Sequence, residues 1–289
     1  MDVRSKRERL STAAASYSAR AQDASEKHAS VAVPFRTMDK NQRLAASALS
    51  GGFAYRLFFW ILPFGLVVGG ALGLLNFDTN EDAFKAGGLP AAIVNDIGDV
   101  ARASGSASWW LFLVGVPLLL WAGYTGSKAV ILIHSLVWND PPQRGANPLR
   151  LSLAFTVVAL LLTATVGVTA WISDQSRLGG VLAAVITALL VAGVWLWVSL
   201  RLPHGDVGWK ELIPGALLFG IGIALLHVVT RYFLQSKIEK ASELYGSLGA
   251  VTTTLFWFYL VGRLIVTSPI LNSSIHEERL HRREGESPG

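Results

Sequence analysis

Arg56, Lys128, His227 and Arg263 lie inside long apolar runs, and they are the residues where chemistry would first be sought. An ionisable group in hydrocarbon is costly unless it finds a partner or reaches the interface, so each is a functional-site candidate. No Asp or Glu lies in the interior of those runs. Its absence argues against a carboxylate proton relay, a carboxylate sodium site and a divalent-metal site in that region. The remaining partners are backbone carbonyls, the water interface or an anion from outside the chain.

Spacing groups these residues. Tyr259, Arg263 and Thr267 recur at i, i+4, i+8 and share one helix face. Trp121, Tyr124 and Lys128 form a comparable stripe. Turned inward, the two stripes would line a cationic, aromatic cavity; turned outward, they would pack and snorkel. Lys128 lies roughly 9 Å and Arg56 roughly 12 Å from the nearer end of their runs, and both are expected to snorkel; Arg263, also roughly 12 Å in, is expected to be harder to bridge. His227, four residues before Arg231, is expected to be a hydrogen-bonded bundle histidine. Gly65, Gly69 and Gly73 form a double GxxxG, and Ala216, Gly220 and Ala224 a similar stripe. Small residues let helices approach closely in lipid, either within one chain or at a seam with a second copy, so a homo-oligomer stays open.

Other chemistry is excluded. With no cysteine there is no thiolate nucleophile, thiolate metal site or redox switch. The six histidines (28, 134, 204, 227, 276, 281) are scattered and no paired-carboxylate motif occurs, so a metal-dependent nuclease has no support. No GxxxxGK[ST] loop is present. No catalytic residue, metal, cofactor or nucleic-acid partner is assigned, and the chain is expected not to be an enzyme.

The elements that position these residues follow from hydropathy. Only 16% of the 289 residues are charged, against about 25% in soluble domains, and mean hydropathy is +0.43. A bilayer core of about 30 Å needs about 20 apolar residues per helix. Six runs qualify: 48–75, 109–134, 149–172, 178–200, 212–234 and 246–271. They are continuous rather than alternating, which argues against barrel strands. The predicted fold is all-α, a polytopic membrane protein with a six-helix transmembrane bundle. Residues 35–272 are the membrane domain, 1–34 a flexible cytoplasmic tail and 273–289 a charged cytoplasmic tail. No secretory signal peptide is expected. "FRTMDKNQRLAASAL" reads as an interfacial helix or as an extension of the first span. "PAAIVNDIGDVARA" in the 76–108 loop reads as a short amphipathic helix. Of 25 Lys and Arg, sixteen fall in the tails and the 135–150 and 201–211 loops, and six on the opposite side. The positive-inside rule then places both termini in the cytoplasm of a bacterial inner membrane. Anionic lipid headgroups are the expected partners of the basic residues.

The last third carries a family signature: "WKELIPGALLFGIGIALLHVVTRYF", then "YGSLGAVTTTLFWFYLVGRLIV" and "LNSSIHEER". Together with the central "LPF" of the first span and "HSLVWND" after the second, this resembles the YihY/BrkB family of bacterial inner-membrane proteins, labelled ribonuclease BN-like in the past. The most specific piece is Tyr245, Gly246, Ser247, Leu248 and Gly249, followed by Trp257, Tyr259 and Leu260. The resemblance implies a six-helix membrane protein and leaves the biochemical activity open. Many relatives read "GAELN" where this chain has Ser268 to Asn272, "SPILN", and Arg263 stands where many are apolar or small.

The expected function is a transporter or lipid-handling permease that accommodates anionic groups. The contrasting reading is a non-transporting scaffold or envelope assembly factor. An inward cavity containing Arg263 would favour the first, and a solid bundle with Arg263 covered would favour the second.

Overall fold

The computed structural model describes residues 29–74, 108–141, 147–173, 177–229 and 247–285. All of its regular structure is helical: α1 (Ala29–Arg43), α2 (Ala46–Leu74), α3 (Ser108–Trp138), α4 (Pro148–Ser173), α5 (Arg177–Ser199), α6 (Trp209–Val229) and α7 (Ser247–Gly285). No strand occurs among the described residues. Six of these helices are long and apolar enough to cross a membrane: Ala46–Ala71, Trp109–Trp138, Pro148–Thr165, Leu182–Ser199, Trp209–Val229 and Val251–Arg283. The amphipathic segment expected at 76–108, together with Arg231, Tyr245 and Gly246, lies outside the described residues.

Local chemistry sets the helix ends. Asn147 caps α4: its Oδ1 accepts from the Leu149 N–H at 2.9 Å, and Pro148 fills the first helical position, where no N–H is needed. Asn139 ends α3 in the left-handed region (φ 50°), which lets the Asp140 N–H reach back to the Ser135 carbonyl at 3.2 Å. Ala45 turns the chain between α1 and α2 at φ 46°, so α1 is a separate helix and not a straight extension of the first span.

The spans pack in chain order: α2 on α3, α3 on α4, α4 on α5, α5 on α6, α6 on α7, and α7 back on α2. The six helices therefore close a ring. Seams tighten where glycine removes a side chain. A Cβ on Gly220 would stand 2.2 Å from the Ala188 carbonyl oxygen of α5, and one on Gly262 2.7 Å from the Ser50 oxygen of α2. The buried core runs through Phe53, Val137, Val191, Trp195, Phe219 and Val266, with Trp195 stacked on Phe219 at 4.2 Å. The least covered span is α4. Only 6% of its apolar window is buried, against 33–44% for the other five spans.

At 39 residues α7 spans about 58 Å, well beyond a hydrocarbon core of about 30 Å. The helix continues unbroken past residue 272 into the charged segment. There α1 lies against it, antiparallel. Lys40 pairs with Glu277 at 2.6 Å and with Ser273, and Arg36 pairs with Glu278 at 2.8 Å. Arg282 holds the same Glu278 at 2.8 Å, and His276 bonds Glu211 at the start of α6. The loops at this end are joined as well, Gly205 N–H donating to Asp140 Oδ2 at 3.1 Å.

Candidate functional site

Among the spans is a half-open cavity of about 390 Å³ whose wall includes residues from all six. Aromatic and aliphatic side chains make nearly all of it, among them Phe53, Trp60, Phe155, Trp195, Phe219 and Phe258. The polar members sit toward the ends. Ser127 and Arg201 lie toward the end that carries the ion pairs, and Thr163 and His227 lie toward the other. Ser127 is satisfied locally, its Oγ donating to the Leu151 carbonyl at 2.6 Å. An engineered apolar cavity of about 150 Å³ stays dry and takes up benzene. The volume here is more than twice that, enough for a longer stretch of hydrocarbon.

The cations singled out by the sequence are not on this wall. Arg56 is exposed on the outer surface of α2 and reaches across to α3, its Nη1 donating to the Thr125 carbonyl at 3.2 Å. Lys128 is also exposed, with Nζ 5.3 Å from the centroid of the half-buried Tyr124 ring. Trp121, the third member of that stripe, is 63% exposed. Arg56, Tyr124 and Lys128 are thus brought together on the outer surface of the α2–α3 pair. Each cation is ten residues from the nearer helix end, Ala46 or Trp138, which is about 15 Å and deeper than the run boundaries suggested.

Arg263 is half-buried and does not line the cavity. Its Nη1 is shut off from solvent with no hydrogen-bond partner. Tyr259, one turn away, packs on the second core cluster with Trp60 and Phe258. The Tyr259–Arg263–Thr267 stripe and the Trp121–Tyr124–Lys128 stripe therefore do not face each other across a cavity. His227 does face the cavity. Gly69 is buried and Gly65 half-buried within the chain; the side-chain surroundings of Gly73 lie outside what is described. Of the signature residues, Ser247 opens α7, Leu248 is exposed and Gly249 is buried.

Two features escaped the sequence reading. Asn272, fully buried, accepts from the Gly215 N–H at 2.6 Å and donates to the Leu212 carbonyl at 3.1 Å, tying α7 to α6. Pro214 has no N–H to give the α6 ladder, and the next N–H is the one Asn272 takes. The signal was the Asn of "SPILN" opposite the Pro-Gly of "LIPGALL". Beside it, Trp195 Nε1 donates to Ser268 Oγ at 2.8 Å. The other feature is Arg201, which sequence alone counts only as a loop charge. It stacks on Trp197 at 4.9 Å and reaches the cavity rim.

The closed ring of six apolar helices with a hydrocarbon-like interior defines a polytopic α-helical membrane protein. Comparison with known proteins gives the particular family. The Virulence factor BrkB family matches residues 37–288, and the chain belongs to it. It is 21% identical over 185 residues to the ribonuclease-like protein YfkH of Bacillus subtilis strain 168, covering 58% of this chain and 67% of that one. It is 26% identical over 262 residues to a UPF0761 membrane protein of Stenotrophomonas maltophilia strain K279a, covering 83% of this chain and 59% of that one. The chain thus spans about three fifths of the UPF0761 relative's length. No solved structure matches.

Proposed function

We propose that the protein handles membrane lipids, its ring admitting the hydrocarbon of an anionic amphiphile while basic residues meet the headgroups. The observation that carries this reading is the apolar cavity walled by all six spans. A void lined by such side chains forfeits dispersion contacts. In a bilayer the surrounding medium is itself hydrocarbon, so an alkyl chain fills the void without having to displace water. A small hydrated anion would instead lose its water and find few polar groups, at a cost of several kcal/mol. Lipid handling is therefore the better half of the transporter-or-lipid reading. The scaffold reading calls for a solid bundle with Arg263 covered; Arg263 is off the cavity wall, as that reading expects, but the bundle is not solid, and the cavity counts against it. Arg56 and Lys128, facing lipid without a carboxylate within ion-pairing distance among the described residues, suit contact with anionic headgroups.

The protein is read as a non-enzyme. Among the described residues no group of three or more His, Asp or Glu is placed to hold a metal, and the word ribonuclease belongs to the relative's name. Its proposed location is the bacterial inner membrane with both termini in the cytoplasm, on the strength of the Lys and Arg distribution. The packing of α1 on the end of α7, which brings both ends of the described chain to one side, is consistent with this. Since the chain has no cysteine, single introduced cysteines at Ser47 and Ser287 can be mapped from either side of the membrane.

The functional test is movement of fluorescent phospholipids across proteoliposome bilayers. Wild-type protein is expected to raise the rate above that of protein-free vesicles, and Val158→Trp, which fills the cavity, to reduce it. Equal rates with and without protein would sink the reading, as would a folded Val158→Trp variant that is as fast as wild type.

A further inference from the structure

The cavity has a direction. Among the described residues that form its wall, Arg201 is the one Arg or Lys, and it stands at the α5–α6 end. Its guanidinium lies over the Trp197 ring, 4.9 Å from the centroid, which orients the plane and leaves the N–H edge available. Among the described residues no carboxylate lies within ion-pairing distance of it. Asp140, in the neighbouring loop, is engaged by the Gly205 N–H, and Asp206 is exposed beyond it. Exposed Arg150, at the start of α4, and Lys210, 5.7 Å from the Trp209 ring, add positive charge at the same end. Exposed Trp197 and Trp209 suit the headgroup level, where amphipathic rings collect.

From that rim the wall is apolar for a long way. On α4 the lining runs from Leu151 to Thr163, twelve residues or about 18 Å. A cation at one mouth and a hydrocarbon-like slot behind it match a molecule with one anionic head and a long tail. The planar fork of arginine pairs with a phosphate through two parallel hydrogen bonds. The helix that forms this side of the slot, α4, is the least buried of the six spans.

We infer that the ring is a single-chain lipid slot with a phosphate anchor: one acyl chain lies along α4, and Arg201 holds the phosphate of an anionic phospholipid at the α5–α6 end. The inference rests on the lipid-handling reading and adds to it a headgroup residue, a ligand class and an orientation.

Native mass spectrometry of the full chain in detergent, titrated with phosphatidylglycerol, phosphatidylcholine or inorganic phosphate, tests it. Wild type is expected to retain one phosphatidylglycerol per chain, about tenfold tighter than phosphatidylcholine. Arg201→Gln should bring phosphatidylglycerol down to the phosphatidylcholine level, while Arg201→Lys should keep it within about threefold of wild type. Val158→Trp should weaken both lipids, and inorganic phosphate should not compete at equal concentration. The inference is overturned if folded Arg201→Gln binds phosphatidylglycerol within twofold of wild type, or if free phosphate displaces the lipid at equal concentration. Binding as described without lipid movement in proteoliposomes would leave the site standing and remove the transport reading. Movement without Arg201-dependent binding would do the reverse.

Discussion

Asn272→Leu isolates the polar joint between α6 and α7. Leucine has the same branched heavy-atom skeleton as asparagine but bulkier methyl ends, so the change removes hydrogen bonds without opening a void. The Gly215 N–H, now bonded to Asn272 at 2.6 Å, would lose that buried acceptor, and a buried donor that loses its partner costs about 1–3 kcal/mol. The Leu212 carbonyl, which receives Asn272 Nδ2 at 3.1 Å, has a second lone pair for its own helix and loses less. Polar contacts between helices in membranes average about 0.6 kcal/mol and reach about 1.7, because the unfolded chain also finds partners there. A net loss of about 1–3 kcal/mol follows, and at about 2–4 °C per kcal/mol the melting point should fall by about 2–12 °C. Tryptophan fluorescence or size-exclusion melting in detergent reads it directly. Gly215→Ala should be at least as damaging, since its Cβ would meet the Ser268 backbone oxygen at 2.3 Å. The double variant should lose less than the sum by more than about 0.5 kcal/mol, because both changes break one joint. An Asn272→Leu variant melting within about 1 °C of wild type, or strict additivity of the pair, would refute this account.

At the charged end, Glu278→Gln should loosen α1 more than Glu277→Gln. Glu278 is buried and serves both Arg36 and Arg282 at 2.8 Å, whereas Glu277 is half-exposed and, among the described basic residues, holds Lys40 alone. Limited proteolysis near residues 36–45 checks the order, and the Glu277 effect, worth about 0.2–1 kcal/mol, should fade in high salt. Along the α5–α6 seam, Gly220→Val should block folding or lower the melting point by more than about 5 °C, since its first carbon would stand 2.2 Å from the Ala188 oxygen. Gly193→Ala, with nothing within 4 Å of its added carbon, should change it by about 1 °C or less, and equal effects at the two positions would contradict the packing described.

Hydropathy alone revealed the helical class and the six runs long enough to cross a bilayer, because a backbone in hydrocarbon must satisfy its hydrogen bonds locally and that requirement is written in composition. The α4 start at Asn147–Pro148 was equally legible, since capping and the first-turn proline are local chemistry. Which face of a helix turns inward was not legible. The spans are apolar all round, so their periodicity carries little signal, and the intramembrane cations drew attention that the cavity wall does not return. Arg56 and Lys128 stand outside the ring, while Arg201, which reads as an ordinary loop charge, stands at its mouth. The Asn272–Gly215 joint and the α1–α7 ion pairs link residues 57 and 237 or more positions apart. Only the folded chain brings such pairs together, since sequence specifies what each helix can bury and the closing of six helices into one ring decides what they meet.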